Sequence, residues 1–191
     1  MNRALKNALL SLIFNSAFAV YYFVFGILMH SLWFLTVGVY YVILSFVRFA
    51  VLVIKKDAFA IRLTGSVLML LSLPLAGATV LAVIHERGIV VHEILMISIA
   101  LYAFSKITLA AIQLIKARRG ASAQLVALLN ISFADAFVSI FSLQRSMLVS
   151  FEGMTATEIG IMNAMTGSVV CITAFLLGLN LIRNKKILFH I

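Results

Sequence analysis

Apolar residues fill long, unbroken runs along this chain, and polar positions collect in short clusters between them. A hydrocarbon layer about 30 Å thick takes roughly 20 helical residues to cross. Six runs reach that length: Ala8–Met29, Ser31–Ile54, Leu63–Ile84, His92–Ile115, Gln124–Leu143 and Gly160–Ile182. None shows the period-two alternation of a barrel strand, and each is too long to be one. Helices satisfy their own backbone groups within lipid. The predicted fold is all-α, a polytopic membrane protein whose six transmembrane helices form three parallel-oriented helical hairpins in one integral membrane domain over residues 1–191.

The hairpin expectation comes from an apparent threefold repeat. Residues 8–14 (ALLSLIF), 69–75 (MLLSLPL) and 127–133 (ALLNISF) read alike, and the even-numbered spans close on Leu52–Lys55, Gln113–Lys116 and Asn180–Arg183. The units would cover 5–56, 62–119 and 122–186. Mitochondrial three-hairpin carriers share that outline, but their signature proline and charged motifs are absent.

Composition adds the environment. The 191 residues are 64% hydrophobic, with a mean hydropathy of +1.16 and only 11% charged side chains. A soluble domain of this size would need far more charge on its surface. With one Pro and one Cys, the collagenous and disulfide-rich classes are excluded too. The net charge of +9 would suggest nucleic acid in a soluble protein. Here the basic residues cap apolar runs, so the expected partner is the bilayer and not a nucleic acid.

Their distribution predicts an orientation. Arg3, Lys6, Lys55, Lys56, Arg62, Lys116, Arg118, Arg119, Arg183, Lys185 and Lys186 fall on one side of the six spans, against Arg87 and Arg145 on the other. Both termini are expected in the cytoplasm, in a bacterial cytoplasmic membrane. Trp33 occupies the place of an interfacial aromatic anchor.

Polar side chains at helical spacing predict the interior, since a polar face turned to lipid is costly. The stripes are Ser11, Asn15 and Tyr22; Tyr41, Ser45 and Arg48; Ser72 and Thr79; Ser98, Tyr102, Ser105, Lys106 and Gln113. The fifth span adds Ser132, Asp135, Ser139 and Ser142, and the sixth Asn163, Thr166, Thr173 and Asn180. Intramembrane ionisable groups mark functional sites. The candidate solute-binding set is Arg48, Lys106, Asp135, Asn15, Tyr41, Tyr102, Ser139 and Thr173. Lys106 and Asp135 fall at equal depth on consecutive spans and are expected to pair; Arg48, nearer the inner boundary, has the reach to snorkel.

Two classes of function follow. The leading one is a transporter, channel or solute-binding bundle for an anionic or zwitterionic small solute, because the buried cations outnumber Asp135. The other is a non-catalytic subunit or scaffold acting in a homo-oligomer or a larger membrane complex. In size and span count alone the chain is similar to the substrate-binding subunits of bacterial vitamin uptake systems. No nucleophile–base set or metal-ligand triad can be assembled, so no enzyme, metal or cofactor is expected. His30, His85, Glu86, His92 and Glu93 cluster at one rim, but their spacing matches no metal signature.

Overall fold

A computed structural model of the chain describes residues 3–54, 56–84, 93–117, 122–150 and 153–183. These form six α-helices: α1 (Arg3–Leu28), α2 (Leu32–Val53), α3 (Asp57–Ile84), α4 (Glu93–Ala117), α5 (Ala123–Ser150) and α6 (Ala156–Arg183). Five carry a stretch long and apolar enough to cross a membrane, and the corresponding run in α1 is Leu12–Leu28. α3, α5 and α6 overrun their apolar stretches, whereas α2 is one residue shorter than its own at each end. Thus α3 begins at Asp57, and α5 continues to Ser150, carrying Arg145 inside the helix and out of the loop where its charge had placed it. His85, Glu86, Arg87, His92, Lys55, Arg118, Arg119, Lys185 and Lys186 lie outside the described residues.

Local chemistry explains the ends. Ser31 donates its amide to the Gly26 carbonyl and His30 donates to Ile27, which closes α1 with a Schellman motif. His30 takes the left-handed position, φ 49°, that glycine usually fills. At the start of α6, Thr155 and Glu158 form a capping box. The Thr155 amide donates to Glu158 Oε2 at 2.8 Å, and the Glu158 amide donates to Thr155 Oγ1 at 3.3 Å. Gln124 Nε2 donates to the Ile54 carbonyl at 2.9 Å, tying the end of α2 to the start of α5.

The six helices do not pack as three sequential hairpins. α1 lies along α2 as expected, but α3 has its most extensive contact with α6, and α4 packs on α5. Among the described residues no extensive packing joins α3 to α4. The physical reason lies in glycine. A Cβ on Gly178 would sit 2.6 Å from the Gly65 carbonyl oxygen, and one on Gly65 would sit 2.9 Å from that of Gly178. Such close backbone approach is how helices gain contact in a membrane, where burial against lipid supplies little drive. The buried row of α6 (Asn163, Gly167, Val170, Ala174, Gly178 and Leu181) follows one helical stripe.

α5 is the hub. It packs on α2, α3, α4 and α6, and it reaches α1 through Asn15 and Asp135. The rest of the bundle presents large apolar side chains outward, including Ile13, Phe46, Leu73, Leu101 and Met165. So broad an apolar exterior suits lipid and not water. Pro74 is exposed on the outer face of an unbroken α3.

Candidate functional site

Asp135 lies twelve residues into α5, about 18 Å along its axis, and has no solvent exposure. Lys106 lies eleven residues before the end of the antiparallel α4, at nearly the same height. The expected pair forms: Lys106 Nζ donates to Asp135 Oδ2 at 2.5 Å. Two further donors converge on that one oxygen, Asn15 Nδ2 from α1 at 3.0 Å and Arg48 Nη2 from α2 at 3.4 Å.

Arg48 does not snorkel. Its side chain is 1% exposed and turns into the bundle, where it also donates to Ser132 Oγ at 3.2 Å. The geometry carries a charge imbalance: two cations face one carboxylate. Asp135 Oδ1, equally buried, has no hydrogen-bond partner among the described residues. Unpaired buried carboxylate oxygen is costly, so its presence calls for an account.

Aromatic rings wall the cluster. The Tyr102 hydroxyl donates to Asn15 Oδ1 at 3.3 Å, its ring stacks on Phe18 at 3.6 Å, and Lys106 Nζ lies 5.0 Å from the ring centre. Tyr41 meets Tyr102 edge-on at 5.6 Å and shares a 2.9 Å hydrogen bond with Ser139 Oγ. Ser139 in turn donates to the Asp135 carbonyl at 2.7 Å. Seven of the eight expected site residues therefore meet in one connected cluster drawn from α1, α2, α4 and α5.

Thr173 does not join them. It donates to the Val169 carbonyl of its own helix and lines a surface groove with Leu176, Leu177, Asn180 and Arg183. Ser105 is likewise exposed and bonds the Leu101 carbonyl. The inward rule fails for such residues because a hydroxyl four residues past a carbonyl satisfies itself locally and can face lipid cheaply.

Phe18 and Ser132 were absent from the expected site, although Ser132 stands one helical turn before Asp135 and completes the α5 stripe. Trp33 is not an interfacial anchor. It is 4% exposed, packs edge-on against Phe141 at 5.0 Å, and has Arg145 over its ring at 4.4 Å. The charge of Arg145 is thus drawn into the bundle beside Ser142 and Ser146, both buried. Ser132, Asp135, Ser139, Ser142 and Ser146 make one buried polar stripe along α5.

Among the described residues no group of three His, Cys, Asp or Glu side chains could hold a metal. No protein-family model matches the chain, and no curated protein matches it in sequence.

Proposed function

We propose that the chain is a six-span membrane bundle of the transporter or solute-binding type, with both termini cytoplasmic and an interior site for a small anionic or zwitterionic solute. The observation that carries this reading is the buried set Arg48, Lys106 and Asp135, in which two cations converge on one carboxylate oxygen. Charges this deep are expensive to hold, and packing alone asks for none of them. An anion offers the two cations a second negative charge to share. The aromatic walls exclude water, which strengthens that attraction.

The competing reading, a scaffold subunit, draws support from the closure of the cluster upon itself. A purified full-length chain separates the two. Thermal unfolding in mild detergent is followed with acetate, lactate, glycine or succinate added, at fixed ionic strength. The transport reading expects at least one of these to raise the unfolding midpoint of the native chain and to leave Lys106→Gln unmoved. A flat response across the panel, with a second membrane protein co-purifying in fixed ratio, decides for the scaffold.

A further inference from the structure

Charge arithmetic and the unpartnered carboxylate oxygen Asp135 Oδ1 narrow the class of solute. Arg48 and Lys106 bring two positive charges to the single carboxylate of Asp135, an excess of one among these three side chains, at a depth where charge is costly. A singly charged anion restores balance. A dianion overshoots it, and a zwitterion leaves it unchanged. Asp135 Oδ1 adds a second requirement, because it is fully buried and accepts no hydrogen bond from the described residues, while Oδ2 takes the donors of Asn15, Arg48 and Lys106. An occupant that brings its own donor to Oδ1 removes that deficit.

We propose that this site takes a small monocarboxylate bearing a hydroxyl donor next to its acid group. The acid group pairs with Lys106 and Arg48, and the hydroxyl donates to Asp135 Oδ1. Asn15, held by the Tyr102 hydroxyl, donates to Oδ2 and so leaves Oδ1 without a donor from its own side. This inference rests on the solute-binding reading above and adds to it the valence and the donor of the ligand.

Calorimetric titration of the full chain in lipid nanodiscs tests it with four probes: lactate, propionate, glycine and malonate. Lactate and propionate have the same three-carbon monoacid frame and differ in the hydroxyl. The native protein should bind lactate roughly tenfold more tightly than propionate, the size of one hydrogen bond to a charged acceptor. Glycine and malonate should both bind more weakly than lactate. Asp135→Asn raises the surplus to two charges and should turn the preference toward malonate. Lys106→Gln removes the surplus and should abolish the preference for acids over glycine, which keeps the test alive should the Asp135 variant fail to fold. Equal binding of lactate and propionate, or a native preference for glycine or malonate, overturns the proposed class while leaving a solute site standing. No binding of any probe overturns the class and the solute-binding reading together.

Discussion

Asp135 holds two cations and an amide with a single oxygen, so the cost of removing it is set by what it leaves behind. Asp135→Ala strands Arg48 and Lys106 in the bundle without a counter-charge. Loss of one partner from a buried ion pair costs about 3–5 kcal/mol, and this change should fall there, read as a lowered unfolding midpoint in detergent. Asn15→Ala removes only one donor to a charged acceptor and should cost about 1.5–3 kcal/mol. The paired swap Lys106→Asp with Asp135→Lys divides structure from function. Recovered folding with lost solute binding marks a site, and recovery of both marks a lock between helices. The Lys106–Asp135 contact was legible in the sequence because depth can be counted along two consecutive antiparallel helices. The places of Asn15 and Arg48 were not. Their partner lies on a helix far away in sequence, and hydropathy carries no sign of which distant helices touch.

At the scale of elements, the bundle depends on two backbone features that composition hides. His30 sits in a left-handed turn position, which costs a residue with a Cβ about 1 kcal/mol or more. His30→Gly should therefore be neutral or stabilising by up to about 1 kcal/mol in a detergent unfolding assay, even though it loses a side chain. The α3–α6 contact predicts the opposite response. Gly178→Leu places a side chain against the Gly65 carbonyl and Met69, where a Cβ would meet atoms within 3 Å, and should destabilise by about 1–3 kcal/mol. Gly77→Ala on the same α3 meets nothing within 4 Å and should gain about 0.5–1 kcal/mol as a helix-interior substitution. A destabilised Gly77→Ala would mean that this face of α3 is covered by something else in the membrane. The helices themselves were legible, since unbroken apolar runs admit little else. Their pairing was not, because three similar-looking segments suggested sequential hairpins, whereas contact between helices in lipid follows small residues more than sequence order.

For the whole molecule, the central place of α5 links the site to the orientation in the membrane. Its buried stripe runs from Ser132, which meets Arg48 near the end of α2, to Ser146, beside Arg145 and Trp33 near the start of α2. A solute moving along that stripe would pass a cation near each end and the Asp135 cluster between them. Which end faces the cytoplasm is set by the loops. Eleven basic residues flank the ends of the odd-numbered helices' starts and the even-numbered helices' finishes, and two fall on the other side. One of those two, Arg145, is 5% exposed within α5, so its charge is withdrawn from the rim and the asymmetry between the two faces is steeper than a count along the chain implies. In the orientation proposed above, positive loops stay in the cytoplasm, so Met154, between α5 and α6, is expected outside and Lys186 inside. Reporter fusions truncated after Met154 and after Lys186 should accordingly report opposite faces, with Lys186 cytoplasmic. Replacing Arg62 and Arg183 by glutamine weakens that bias without touching the buried cluster, since both side chains are exposed, and should increase the fraction of inverted molecules. Fusions that report the same face would take α6 out of the set of crossing helices and overturn the six-span arrangement, although the Arg48, Lys106 and Asp135 cluster, drawn from other helices, could persist.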